Sequence, residues 1–190
     1  MHTTTQKIGM ALALALAIPA AQANDALLEE ARKTAMSVPP KLIGVLQKEI
    51  DKGGPEGAIT VCREMAPKMA KAASEESGWQ IRRVSLKNRN PKAAPDAWEK
   101  AALEDFDKRA AAGENPMHLE KGEVVEEGGK KTYRYVKALP VQTLCLNCHG
   151  PADTITDAVK AKLAELYPED KATGYSPGQI RGAMTLKKPL

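Results

Sequence analysis

The segment 142–151, QTLCLNCHGP, is the feature that most constrains what this chain can fold into. Two residues separate Cys145 from Cys148, and His149 follows directly. In c-type attachment each cysteine sulfur adds across one haem vinyl group, and the adjacent histidine ligates the iron from the same side. The fold must then place a flat macrocycle against this turn. We predict one covalent haem c on Cys145 and Cys148, with His149 as an iron ligand.

A third cysteine, Cys62, leaves a second interpretation open. An odd cysteine in an oxidising compartment is normally buried, paired between chains or bound to a ligand. Cys62, Cys145, Cys148 and His149 would also make a closed zinc site of three sulfurs and one nitrogen. The chain has no second Cys-x-x-Cys pair, so the pattern favours haem over zinc.

The amino terminus predicts export. A basic start at Lys7 precedes a short apolar run over residues 8–19, and residues 21–23, Ala-Gln-Ala, have the small-x-small form of a signal-peptidase site. The apolar run is too short to span a bilayer comfortably, and a buried first helix is the alternative. We therefore predict a signal peptide over residues 1–23 and a soluble, exported mature protein, most simply in a bacterial periplasm.

Cleavage there would leave residues 24–190, a length that fits one domain with its own core and no disulfides. The chain has 28 basic and 24 acidic residues and a formal charge of +4, which falls to +3 if Lys7 leaves with the signal peptide. This small excess does not indicate nucleic acid or an anionic membrane as a partner. We expect no membrane span in the mature chain, and the oligomeric state stays open.

Hydrophobic periodicity and turn residues predict helices first and strands later. Pro67 should end or kink the third helix, because proline lacks an amide hydrogen and clashes with the preceding turn. Asp96 and Glu99 make a capping box for the fourth helix, and Gly128-Gly129 closes a hairpin. This order indicates an α+β domain with an antiparallel sheet. The predicted helices are 25–37, 40–52, a third from Pro55, 96–112 and 155–166, and the predicted strands are 79–86, a hairpin over 123–139, and 180–187.

Three stretches together resemble one bacterial family. They are RRVSLKNRNPKAAPDAWE at 82–99, CLNCHG at 145–150 and YPEDKATGYSPGQIRGA at 167–183. The chain is similar to single-haem c-type proteins first catalogued as a domain of unknown function, which occur alone or as the sensing part of histidine kinases and chemoreceptors. The resemblance implies a PAS-like antiparallel sheet with N-terminal and flanking helices. Many members have asparagine where this chain has Ala93 or Ala94.

The attachment motif does not determine the second axial ligand of the iron. Cys62 lies on the apolar face of a predicted helix, where a cysteine is most often plain core. The residues alone leave rival ligands open, namely Met65, Met69, Met117, Met184 and His118. In the similar family the motif histidine and an upstream cysteine thiolate hold the iron, which implies His149 and Cys62 here. An anionic thiolate favours ferric iron and lowers the reduction potential relative to methionine.

A basic stretch supplies candidates for binding the haem propionates. Arg82, Arg83 and Arg89, together with Lys87, lie in a predicted strand and the loop after it. The forked guanidinium suits carboxylates, so we predict the three arginines as cofactor-binding residues. A solvated basic strand face is the alternative.

Three functional hypotheses follow from these residues. Iron with two protein ligands favours electron transfer or redox sensing, with an unidentified redox or signalling protein as the partner. The alternative is a sensor of carbon monoxide or nitric oxide, in which the gas displaces Cys62 and the signal passes to a separate protein. A peroxidase would need an open distal site with placed acid–base groups, and the sequence has no pattern that supplies them. We therefore expect that this protein is not an enzyme.

Overall fold

The computed structural model describes residues 20–190, so the first 19 residues of the expected signal peptide, 1–23, lie outside the described part of the chain. No helix in the described part is long and apolar enough to cross a membrane. Short 3₁₀ turns lie at Pro91–Ala93, Pro116–His118 and Thr143–Cys145. In chain order the helices and strands are α1 (Ala20–Ala35), α2 (Pro39–Gly53), α3 (Pro55–Ser77), β1 (Gln80–Val84), α4 (Ala97–Ala111), β2 (Glu120–Glu127), β3 (Lys130–Pro140), α5 (Leu146–His149), α6 (Asp157–Leu166) and β4 (Ile180–Pro189).

The four strands form one antiparallel sheet in the order β1-β4-β3-β2. The β2–β3 hairpin turns at Gly128 and Gly129, whose φ angles of 59° and 75° suit the primed turns that match strand twist. The hairpin was predicted from this Gly-Gly pair and is confirmed. The expected α+β class, with an antiparallel sheet and N-terminal and flanking helices, is also confirmed.

Each face of the sheet carries its own core. On one face α1 packs over a cluster that includes Trp79, Tyr135 and Leu186. On the other face α4 packs its Phe106 into a cluster with Val136 and neighbouring residues of the sheet. Val136 and Tyr135 are consecutive in β3 and point to opposite faces, as the pleat requires. Both are fully buried, so β3 is covered on both sides.

The start of α4 is tied to the sheet through its cap. The Asp96 carboxylate accepts from the Glu99 amide at 2.9 Å, and the Asp96 amide donates to the Glu99 carboxylate at 2.8 Å. This is the capping box that the sequence predicts. Glu99 is fully buried and also pairs with Arg82 at 3.0 Å and with Arg134 at 3.4 Å. The same carboxylate therefore caps the helix and neutralises two arginines from the sheet.

One prediction about the helices is wrong in part. The Gly53-Gly54-Pro55 sequence ends α2 and begins α3 as expected, and Gly54, with a φ of 82°, is the one residue between the two helices. Pro67, however, does not end α3, which continues to Ser77. Pro67 removes one amide donor, but it lies on the exposed side of the helix, where water can satisfy the freed carbonyl of Arg63.

Candidate cofactor site

One cavity of about 1290 Å³ collects the side chains that the sequence singles out. Cys62 of α3, Cys145, Cys148 and His149 all line it, together with residues of α2, β1, β4 and the end of β3. Ligand pockets usually measure roughly 300–1,000 Å³. The cavity is therefore large enough for a cofactor much bigger than a metal ion, and the tertiary fold brings the distant Cys62 to the attachment motif.

The attachment motif is folded as a tight helical turn. The 3₁₀ turn Thr143–Cys145 runs directly into α5, so Cys145 and Cys148 stand three residues apart on neighbouring positions of one helical surface. The amide of Gly150 closes α5 on the carbonyl of Leu146 at 2.9 Å. A Cβ at Gly150 would lie 2.7 Å from that same oxygen, so even alanine after the motif would collide with the closed turn.

The imidazole of His149 is held in one protonation state. Its Nδ1 lies 2.7 Å from the carbonyl oxygen of Ala172, so Nδ1 carries the hydrogen and Nε2 keeps a free lone pair. Burial lowers the pKa of His149 well below its ordinary value, and the charges of Arg181 and Arg89 lower it further. The ring is therefore neutral at pH 7, which is the form that ligates a metal.

An irregular segment, residues 167–179, packs against the attachment motif and is hydrogen-bonded to it. The amides of Gly174 and Tyr175 donate to the carbonyls of Gly150 and His149 at 2.8 and 2.9 Å. The Asp170 carboxylate accepts from the amide of Ala172 at 2.8 Å, which presents the Ala172 carbonyl to the histidine. The sequence pointed to this segment only through the family resemblance, because such contacts have no periodicity.

The three arginines predicted to bind the cofactor have different surroundings. Arg82 bonds to Glu99 and to the Ala94 carbonyl, and Arg89 bonds to Asp170 at 2.9 Å and to the Cys148 carbonyl at 2.5 Å. Arg83 also lines the cavity, but its buried Nε has no hydrogen-bond partner in the described part of the chain. Of the three, Arg83 is the one whose guanidinium is available to an anionic group.

Arg181 is a site residue that the sequence analysis missed. It is buried in β4, lines the same cavity, and its Nε lies 3.2 Å from Nδ1 of His149. Arg181 lies in a predicted strand, IRGAMTL, whose other residues are mostly apolar and typical of a buried core. No local signal in the sequence therefore distinguishes it as a site residue. The sole hint was its place in the stretch 167–183 that carries the family resemblance.

Two of the five rival ligands share the cavity with Cys62, and three do not. Met184 and Met117 also border the cavity, although Met117 is 46% exposed. His118 is exposed, and neither it, Met65 nor Met69 borders the cavity. Among residues 20–190, no group of three or more His, Cys, Asp or Glu side chains is arranged to hold a metal ion.

The fold and the cavity together define an α+β domain built around a large site with paired cysteines and a histidine. The chain belongs to the Tll0287-like family, whose model matches residues 11–189. It is similar to the crystal structure of the cyanobacterial heme-protein Tll0287, with a TM-score of 0.61 and 28% identity over 91% of this chain and 97% of that chain. No curated protein matches the sequence.

Proposed function

We propose that this protein is an exported c-type haem protein that acts in redox sensing or electron transfer. One haem is attached through Cys145 and Cys148, and its iron is ligated by His149 and Cys62. The observation that carries the proposal is that these four side chains, from α3 and from the attachment motif, line one large cavity. The likeness to a solved heme-protein over almost the whole chain supports it.

The apolar wall of the cavity fits a flat, largely apolar group. Helix α2 is amphipathic, yet none of its residues is buried. Its apolar residues Leu42, Ile43, Leu46 and Ile50 are half-buried and line the cavity. An apolar helix face of this kind normally covers a core, and a macrocycle in the cavity would supply that core.

The polar edge of the cavity fits the carboxylates of such a group. The buried Nε of Arg83 has no protein partner, and leaving a buried donor unpaired costs about 1–3 kcal/mol. A propionate at this position would satisfy the donor through a charge-assisted hydrogen bond. Arg82 and Arg89 support the site indirectly, since one holds Glu99 and the other holds the Cys148 carbonyl.

His149 and Cys62 are the two side chains that would hold the iron, and the protein prepares them in different ways. The Ala172 carbonyl orients His149 and leaves Nε2 free for the iron. Cys62 stands on α3 at the same cavity, and as a thiolate ligand it would favour the ferric state. Bound haem supplies one-electron exchange between ferric and ferrous iron. Two protein ligands would leave no open coordination position for a substrate, so we expect no enzymatic turnover.

The attachment test uses protein expressed in a host competent in c-type maturation. Haem should stay with the chain in a denaturing gel, and replacement of both Cys145 and Cys148 by alanine should abolish the haem stain. A matched Cys62→Ala variant should keep the stain, because Cys62 is outside the thioether pair. A colourless, zinc-containing wild-type protein would refute the proposal.

A gas sensor is the second candidate function, because a PAS-like domain with a displaceable thiolate suits that role. We favour redox sensing or transfer, since His149 and Cys62 would both hold the iron and leave it no open position for a gas. The deciding measurement is titration of the reduced protein with carbon monoxide and nitric oxide, followed by absorption spectroscopy. Rapid, tight binding with loss of the thiolate bands would favour the gas sensor, and a spectrum that stays six-coordinate favours redox function.

A further inference from the structure

The pairing of β3 with β4 is interrupted beside the cavity. Leu139 lies opposite Gly182 and Pro140 lies opposite Ile180, so Arg181 is an extra residue in β4 without a partner in β3. The pairing of β1 with β4 has already ended at Val84, opposite Ala183. Such bulges bend a strand and re-aim a side chain, often next to a functional site. The bulge accounts for a buried arginine among core positions.

A close approach of backbones holds the bulge in place. Gly182 has a φ of 155°, and a Cβ there would lie 2.3 Å from the Val84 carbonyl oxygen. This contact brings Ser85 next to Arg181. The Ser85 hydroxyl donates to the Arg181 carbonyl at 2.8 Å and accepts from Nη1 of the same residue at 2.9 Å. Nη1 also donates to the Lys87 carbonyl at 3.2 Å, so the guanidinium is fixed at its far end.

The near end of the guanidinium lies against the imidazole of His149. Nε of Arg181 is 3.2 Å from Nδ1 and 3.5 Å from Nε2. The Nδ1 hydrogen is directed at the Ala172 carbonyl, so Nδ1 has no lone pair to accept from Arg181. Nearly equal distances to both ring nitrogens indicate that Arg181 packs on the ring. Tyr175 adds its edge-on ring at 6.4 Å between centroids.

The charge of Arg181 has no carboxylate within ion-pair distance in the described part of the chain. Its guanidinium hydrogen bonds go to neutral oxygens of Ser85 and Lys87, and the residue is only 6% exposed. A charge that is removed from water and left unpaired acts strongly on its neighbours. The neighbour here is the ring that the proposed function assigns to the iron.

We propose that Arg181 is the positioning residue for His149. It restricts rotation of the imidazole ring by packing on it, and its fixed positive charge would stabilise ferrous relative to ferric iron held by that ring. The reduction potential is therefore higher than His149 and Cys62 alone would set. This inference rests on the proposed function, because it requires that His149 ligates a haem iron.

The test measures the midpoint potential and the ferric electron paramagnetic resonance spectrum of the full chain with attached haem. Arg181→Gln removes the charge and is expected to lower the potential by at least 59 mV, which is a tenfold shift of the one-electron equilibrium. Its g values should change as well, because the ring is released. Arg181→Lys keeps the charge and should return the equilibrium to within threefold of the wild type.

The matched control is Arg109→Gln, which removes an arginine from the exposed Arg109–Glu114 pair on the other side of the sheet and should leave the potential unchanged. If Arg181→Gln does not fold, Ser85→Ala releases the far end of Arg181 and should still change the g values. Unchanged potential and g values in Arg181→Gln, or unchanged g values in Ser85→Ala, would overturn the inference. A wild-type protein without covalent haem would refute the proposed function instead.

Discussion

A methyl group at Gly182 should destabilise the protein by about 2–6 kcal/mol. The added Cβ would lie 2.3 Å from the Val84 carbonyl oxygen and 3.1 Å from Cβ of Ser85. Since the first atom belongs to the backbone of β1, no side-chain rotation can relieve the contact. Overpacking typically costs about 1–3 kcal/mol, and a side chain in this backbone conformation adds about 1–3 kcal/mol of strain. For a domain of this size the melting temperature should fall by on the order of 10 °C.

The assay is urea and thermal unfolding of the haem-loaded protein, followed by far-ultraviolet circular dichroism. Gly57→Ala is the matched control, because Gly57 is an exposed position of α3 where a Cβ meets nothing within 4 Å. A helical glycine replaced by alanine should stabilise the protein by about 0.5–1 kcal/mol. If Gly182→Ala is as stable as the wild type, β1 moves freely and the reasoning from the close approach is wrong.

Three other substitutions test separate parts of the structure. Cys62→Ser should change the ferric absorption spectrum and raise the reduction potential, because a neutral hydroxyl replaces an anionic sulfur. If a folded variant has the same spectrum as the wild type, Cys62 is a core residue and not an iron ligand. Burial by itself would raise the pKa of Glu120, but hydrogen bonds from Arg32 and Tyr135 outweigh it and lower the pKa to about 2. This carboxylate therefore stabilises the fold above its unfolded pKa of about 4.5 and loses that contribution as the pH falls toward 2. The urea midpoints of wild type and Glu120→Gln should differ at pH 7 and converge near pH 2, and a gap that acid leaves unchanged would contradict this. Asp96→Ala removes the cap of α4 and should cost about 1–2 kcal/mol in urea unfolding, whereas an unaltered midpoint would show that the capping box contributes nothing.

The parts of the fold that depend only on residues close together in the chain were predicted from the sequence. The Asp96 and Glu99 capping box and the Gly128-Gly129 turn are decided within four consecutive residues, and both are present. Pro67 shows the limit of such rules. Its local effect is to interrupt a helix, but α3 continues through it because the lost hydrogen bond is on the solvent side.

The arginines of β1 show a second limit of sequence-based prediction, which is the face of the sheet to which each side chain points. Arg82 and Arg83 are consecutive, so a strand must point them to opposite sides. The sequence does not say which side holds the cavity and which holds α4. In the structure α4 supplies Glu99 to Arg82, and Arg83 is left with an unpartnered buried nitrogen at the cavity. Packing of one helix therefore separates two residues that look equivalent in the sequence.

The sequence by itself determined which residues could attach a haem, because Cys145, Cys148 and His149 are neighbours on one short turn and need nothing else to be brought together. The sequence also carried the family resemblance that made Cys62 a candidate. Only the tertiary structure decided that Cys62 lies at the same cavity and that Arg181 packs on His149. Both contacts join residues far apart in the chain, and they depend on the packing of α3 and on a bulge in β4. Neither packing nor a bulge leaves a periodic signal in the sequence, since each results from how whole elements meet.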